Sequence, residues 1–306
     1  MTANNSSKSK SKSKSKSTDD QNQTSDQLRV IDAYDPISGS AVSSGLRLIR
    51  SFSEISASAV ITGNNRNNTI RGTDQADTIR GGGGDDRLFG LKAGDQLFGE
   101  GDNDRLFGDN GNDTLDGGNN RDRLEGQSGN DVLFGKSGQD TLLGGNGQDS
   151  LEGNSGDDQL NGNKAADTLL GGTGEDTLNG GPGRDTLIGG LGQDTMAGGP
   201  GRDLFVYNSF DERGDLDEDS LFDERGDRLT DFDTDEDVID LSRLFTGSNY
   251  PASDKFDAYV LLVNDDDENT FIRVDIDGDS GDRPFRTLAT VDDVDFDDIG
   301  RSNFIV

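Results

Sequence analysis

Gly144-Gly145-Asn146-Gly147-Gln148-Asp149-Ser150-Leu151-Glu152 is followed without a gap by Gly153-Asn154-Ser155-Gly156-Asp157-Asp158-Gln159-Leu160-Asn161. The same nine-residue phrase occurs sixteen times, and its register is held through residues 63–206 without insertion or deletion. A glycine opens each copy, from Gly63 to Gly198. The sixth position is Asn68 in the first copy and aspartate thereafter, from Asp77 to Asp203. The eighth is Ile70, Ile79, leucine from Leu88 to Leu187, then Met196 and Phe205. Gly/Asp-rich chains are often disordered, but disorder demands no register. A carboxylate, an apolar residue and a glycine locked to one short period describe a solenoid.

The last three residues of a copy, such as Thr141-Leu142-Leu143, alternate in polarity and read as a minimal strand with one inward side chain. The other six read as a turn. Two copies then make one eighteen-residue coil with strands on two faces. Leu88, Leu106 and Leu124 stack on one face, and Leu97, Leu115 and Leu133 on the other. Sixteen copies give eight coils, roughly 38 Å long at ~4.8 Å per strand. The opening glycine implies either φ > 0 or close packing. The fourth position is glycine in ten copies, and elsewhere Arg66, Gln75, Ala93, Asp102, Asn120 or Ala165. Asn120 tolerates a left-handed backbone, whereas Ala93 and Ala165 predict distorted turns.

One apolar residue in nine cannot offset the ordering entropy of the other eight. The turns offer oxygen instead, as backbone carbonyls and one carboxylate each. Stacking brings Asp131 beside Asp149, and two like charges that close call for a cation between them. Oxygen ligands on a flexible turn suit Ca²⁺ better than Mg²⁺ or Zn²⁺.

The phrase resembles the Gly-Gly-x-Gly-x-Asp-apolar-x nonapeptide of the RTX, or haemolysin-type calcium-binding, proteins. That resemblance implies an all-β fold: a parallel β-roll, a right-handed calcium-binding solenoid, followed by a small β-rich C-terminal domain. It implies Ca²⁺ between successive turns of one side, held by the aspartate and by turn carbonyls. The role passes to Asp86, Asp104, Asp113, Asp122, Asp131, Asp140, Asp149, Asp158, Asp167, Asp176, Asp185, Asp194 and Asp203. It also passes to the turn glycines Gly108, Gly126, Gly144, Gly147, Gly171, Gly174, Gly180, Gly183, Gly189 and Gly192. Roughly a dozen sites follow. The first five copies depart most from the pattern, so the best sites are expected between Gly108 and Asp203, with Gly162 to Asp167 the weakest.

Beyond the repeats, Asp203-Leu204-Phe205-Val206-Tyr207, Gly226-Asp227-Arg228-Leu229-Thr230-Asp231-Phe232 and Glu236-Asp237-Val238-Ile239-Asp240-Leu241-Ser242 look like the domain that follows the repeats in secreted RTX proteases. Leu288-Ala289-Thr290-Val291 and the terminal Phe304-Ile305-Val306 are similar to the target domain of type I secretion substrates. That resemblance implies a type I (ABC) exporter as partner and a secreted, extracellular or cell-surface location. Phe210-Asp211-Glu212-Arg213-Gly214-Asp215 recurs as Phe222-Asp223-Glu224-Arg225-Gly226-Asp227, and the first copy reads as a tandem insertion.

The chain has 306 residues, a net charge of −32, and neither cysteine nor histidine. Disulfides, thiolate sites and imidazole catalysis are therefore absent from it. Such acidity opposes nucleic acid and anionic membranes. No apolar stretch reaches transmembrane length and no Sec-type signal follows Met1, so neither membrane insertion nor Sec export is expected. Residues 1–27 form a Lys/Ser-rich tail expected to be disordered, and 28–63 an N-terminal cap for the open end of the solenoid. Residues 64–207 form the roll and 208–306 the C-terminal domain. In the latter, Tyr259–Val263 and Thr270–Val274 predict a hairpin, and Asp275-Ile276-Asp277-Gly278-Asp279 a solitary cation site without the full EF-hand pattern.

The outward column Phe89, Phe98, Phe107, Phe134, Leu143, Leu170 and Ile188 reads either as an assembly surface or as a face covered by flanking segments. The leading expectation is a secreted, non-enzymatic calcium-binding structural or surface protein, with self-assembly or cell-surface polysaccharide as partners. The alternative is a Ca²⁺-dependent polysaccharide-modifying enzyme or a glycan-binding accessory protein.

Overall fold

A computed structural model describes residues 58–208, 226–245, 260–264, 269–274, 286–294 and 297–306. The Lys/Ser tail, most of the N-terminal cap, the first Phe-Asp-Glu-Arg-Gly-Asp segment and Asp275–Asp279 lie outside them. The described chain is an all-β parallel solenoid with two sheets. The first, of eleven strands, begins at Val60–Thr62; the second, of twelve, begins at Thr69–Arg71. From Val60–Thr62 to Val238–Asp240, successive strands along the chain alternate between the sheets, and within each sheet a strand pairs with the one a coil away. Leu142 lies between Leu124 and Leu160, and Leu151 between Leu133 and Leu169.

Most strands of the roll are longer than the three residues that the side-chain pattern predicts. Thr141–Asn146 and Ser150–Ser155 each run six residues, through the opening glycine of the next copy. The parallel ladder needs only backbone groups, so glycine can extend it where no side chain marks it. Along such a strand Leu142 and Gly144 face inward. The apolar column is buried from Ile70 to Phe205, one side chain deep.

Neither sheet breaks where the repeats end. Leu204–Val206 pairs with Val238–Asp240, which pairs with Phe304–Ile305. Thr195–Ala197 pairs with Asp227–Leu229, which pairs with Arg286–Val291. Thr270–Val274 and Val260–Asn264 then add an antiparallel hairpin, as their alternation predicted. A broader core gathers here, where Phe205 meets Phe232 at 5.8 Å and Leu229, Ile239, Phe245, Ile272 and Val291 are buried. The Asn303 amide donates to the carbonyls of Thr234 and Asp237, tying the last residues to the stack. At the other end, Val60–Thr62 pairs with Thr78–Arg80.

The outward apolar column is half-buried. Phe89 stacks on Phe107 at 4.9 Å, and Arg80 and Lys136 lie over Phe98 and Phe134. Neighbouring coils, and at Phe134 a lysine of the same strand, therefore cover part of this column.

A core one side chain thick has little with which to refill a void. Leu142→Ala should destabilise the folded roll by about 2–5 kcal/mol, read as a lower denaturant midpoint of the calcium-loaded protein. An outward Leu143→Ala change should cost well under half of that.

Candidate metal centre

Each turn aspartate is fixed by the coil before it. The backbone N–H of Asp131 donates to Asp149 Oδ1 at 2.8 Å, and that of Asp149 donates to Asp167 Oδ1 at 2.8 Å. The same bond recurs up both sides of the roll, as from Asp104 to Asp122 and from Asp122 to Asp140. The side chain thus does the work of a backbone carbonyl at the corner of the coil. Glutamate, one methylene longer, would overshoot.

The second oxygen is left over. In Asp86, Asp95, Asp104, Asp113, Asp122, Asp131, Asp140, Asp149, Asp158, Asp167, Asp176, Asp185, Asp194 and Asp203, Oδ2 is buried with no hydrogen-bond partner. It lies against the opening glycine of its own copy. A methyl group on Gly135 would sit 2.6 Å from Asp140 Oδ2 and 2.8 Å from the carbonyl oxygen of Gly153, one coil on. Gly180 meets Asp185 Oδ2 and the Gly198 carbonyl in the same way, both at 2.6 Å. The opening glycine is therefore required by close packing. Its φ is not left-handed, and the space a side chain would fill is lined by oxygen.

The left-handed residues are the second and fourth of the copy. Gly145 has φ 118° and Gly147 φ 129°. Ala93 and Ala165 adopt φ 67° and 80°, and Asn120 74°. The expected distortion at the two alanines is thus absent from the path of the chain; it is stored as backbone strain of about 1–2 kcal/mol each. Asp167 keeps its bonds to Asp149 and Asp185, so the copy expected to be weakest has the geometry of its neighbours.

The second position separates two kinds of turn. From Gly82 to Gly199 it is left-handed in every copy, even where it is Leu91, Glu100, Gln127 or Lys136. These are the copies whose Oδ2 has no partner. In the first two copies, and at Asp237, the second position is not left-handed and its N–H turns inward. Asn64 donates to Asn68 Oδ1 at 2.8 Å, and Thr73 Oγ1 donates to Asp77 Oδ2 at 2.9 Å. Asp233 N–H donates to Asp237 Oδ2 at 2.9 Å. Closed turns thus stand at the start of both columns and at the end of the column that finishes with Asp237.

Asp227 and Asp237 continue the columns beyond the nonapeptides. They accept from the N–H groups of Asp194 and Asp203 at 3.0 and 2.8 Å. Asp231 accepts from Gly198 and Gly199, both at 2.9 Å. Sequence reasoning missed the continuation because the spacing breaks, although Asp227-Arg228-Leu229 and Asp237-Val238-Ile239 repeat the Asp-x-apolar signature. Asp95, left out of the ligand set, has the same open geometry as Asp86 and Asp104.

Burial pushes these carboxyls well above the ordinary 3.8. Asp140 reaches about 6, Asp131 and Asp167 about 7, and Asp122 about 8. The N–H bond from the coil before opposes the rise, and for Asp122, Asp131 and Asp167 the neighbouring aspartates add to it. Among the described residues no three His, Cys, Asp or Glu side chains gather around one point. A cation here would be held by one carboxylate per turn and by carbonyl oxygens, a hard-donor set that fits Ca²⁺. The partnerless, desolvated Oδ2 atoms fit such an ion.

Residues 62–205 match the family model of the RTX calcium-binding nonapeptide repeat, in overlapping four-copy blocks. That stretch is a calcium-binding RTX β-roll. Among solved structures, the chain is similar to the solution structure of the AlgE6R3 subunit from the Azotobacter vinelandii mannuronan C5-epimerase. Identity is 24 %, the match covers 50 % of this chain and 80 % of that one, and the TM-score is 0.36. No curated protein matches the chain.

The raised carboxyls fix a sign. Between 3.8 and about 6 to 8 the folded, cation-free roll holds protons that the unfolded chain has released. In EGTA, its stability should therefore rise as pH falls through that window, seen as a gain of β signal by circular dichroism. Calcium and protons compete for the same oxygens, so the calcium midpoint should rise over the same descent.

Proposed function

We propose that this chain is a secreted, non-enzymatic calcium-binding structural or cell-surface protein whose roll folds when Ca²⁺ fills the open turns outside the cell. The series of buried, partnerless Oδ2 atoms carries this reading. An ionised carboxylate buried without a counter-ion is unfavourable by several kcal/mol, and fourteen in two columns leave the folded state at neutral pH dependent on cations. The ligands are the open aspartates from Asp86 to Asp203, Asp95 among them, with carbonyls of turn glycines such as Gly108, Gly126, Gly144, Gly171 and Gly189. Both carboxylate oxygens of Asp77 and Asp237 already accept hydrogen bonds, and Asn68 carries no charge and has its Oδ1 taken by the Asn64 N–H, so these three hold none.

In the cytoplasm, where Ca²⁺ is scarce, the chain stays unfolded and fit for export. The resemblance of its C-terminal segment to type I secretion targets supports an ABC exporter as the route. At extracellular levels, sites with Kd near 10⁻⁴–10⁻³ M add about 1 kcal/mol each. Coupled through shared strands, they fold the roll together. The non-enzymatic reading is supported by the commitment of the regular carboxylates, each with Oδ1 bound to backbone and Oδ2 buried.

Far-UV circular dichroism under titration with Ca²⁺, against EGTA and Mg²⁺, tests the proposal. A cooperative gain of β signal in sub-millimolar to millimolar Ca²⁺, absent with Mg²⁺, is expected. A chain fully folded in EGTA at pH 7 would refute it. The two kinds of turn give a second test. Asp149→Asn keeps an acceptor for the Asp131 N–H but loses the charge, so it should raise the calcium midpoint. Asp77→Asn, in a closed turn, should leave that midpoint nearly unchanged.

A further inference from the structure

Three arginines stand side by side on neighbouring strands of the second sheet: Arg87 pairs with Arg105, and Arg105 with Arg123. Strand spacing sets them about 4.8 Å apart along the roll. The matching column of the first sheet carries Thr78, Gln96, Thr114 and Val132, with no charge. Like charges directly opposite one another weaken a sheet. In a chain rich in acid, three in register are not what sheet stability selects. Arg123 bridges Glu125 at 2.8 Å. Arg71, Arg87 and Arg105 are exposed and make no ion pair among the described residues.

The adjoining column holds two of these groups in place. Arg71, Phe89 and Phe107 are successive register partners. The rings of Phe89 and Phe107 stack at 4.9 Å and 8°. The guanidinium of Arg71 lies 4.8 Å over Phe89, and that of Arg87 5.9 Å from the same ring. A guanidinium stacked on a ring spends its face and keeps its in-plane N–H donors free for an oxyanion. Phe89 is taken on one side by Arg71 and on the other by Phe107, which leaves no open ring face on it for a nucleobase or a neutral sugar. Charge at regular spacing, and not stacking, is what this surface presents.

We propose that the outer face of the second sheet from Arg71 to Arg123 binds an acidic polysaccharide, an extended chain bearing one carboxylate per sugar. Its charges recur at about the length of one pyranose unit, close to the strand spacing that sets the arginine ladder. The guanidinium groups of Arg71, Arg87 and Arg105 can each take a carboxylate through two parallel N–H donors, while Arg123 is shared with Glu125. The open turn aspartates lie at the corners of the coils, and calcium bound there lessens their repulsion of an anionic polymer. The proposal rests on the calcium-folded roll, because only folding brings residues eighteen apart into register.

The test uses the full chain in millimolar Ca²⁺, with circular dichroism recorded on each sample. Oligouronates too short to gel are titrated calorimetrically, beside neutral oligosaccharides of equal length and single-stranded oligothymidylate. Binding of the oligouronate alone is expected. The doubly substituted Arg87→Gln, Arg105→Gln chain should lose on the order of tenfold or more in affinity, and Arg202→Gln should not. Unchanged circular dichroism in the double variant would assign the loss to the ladder. No oligouronate binding by a calcium-folded chain would overturn the proposal. So would equal binding of oligothymidylate, or binding indifferent to the double substitution. Loss of the calcium response with ladder-dependent binding retained would instead remove the folding reading and leave this site standing.

Discussion

The bond from the N–H of one turn aspartate to the carboxylate of the aspartate one coil later is the constraint on which the rest depends. It fixes the corner of each coil and sets the pitch of two sheets at once. It also drives a charged group out of water with half of its acceptor capacity unused. The glycine that opens the copy has to be glycine because that unused oxygen lies against it. The protein therefore obtains its regularity by a contact that is unfavourable alone and acceptable with a cation. A thin column of leucines could not offset many such sites by itself.

The ends of the roll show the same problem solved without metal. Thr73 turns its hydroxyl onto Asp77, and Asp233 its amide onto Asp237. The choice between the two solutions is made at the second residue of the copy. Where the backbone there is left-handed, its N–H no longer meets the carboxylate, and the oxygen stays open. A non-glycine residue spends about 1–2 kcal/mol to hold that conformation. Leu91, Glu100 and Lys136 nevertheless hold it, which is the behaviour of a position fixed by the coils above and below.

Much of this was legible in the sequence. The unbroken nine-residue register implies two sheets, eighteen-residue coils and the stacking of Leu88, Leu106 and Leu124 on one face and of Leu97, Leu115 and Leu133 on the other, and the sheets pair in that way. The aspartate column marked the turns because nothing else recurs so strictly. What escaped had no side-chain signature. Strands lengthened through glycine, because backbone pairing needs no side chain. The left-handed second position hid behind ordinary residues such as Gln127 and Leu91. Side chains alone leave the opening glycine either left-handed or tightly packed, and only the stacked coils show that it is the second. Thr73 was visible but uninterpreted, since a closed turn makes sense only once an open one has been seen beside it. Asp227 and Asp237 broke the spacing and so fell out of a pattern defined by spacing.

That break has its own consequence. Elsewhere a coil is eighteen residues, yet Asp194 reaches Asp227 across 33 and Asp203 reaches Asp237 across 34. The columns nonetheless continue in step. Placement of a strand is thus copied from the coil beneath it and does not depend on counting residues from the last one. The roll behaves as a template that reads the incoming strand by its Asp-x-apolar triplet and ignores the length of chain delivered with it. Between Tyr207 and Gly226 the molecule has a point where chain length can change, by duplication or by design, while the architecture on either side keeps its register.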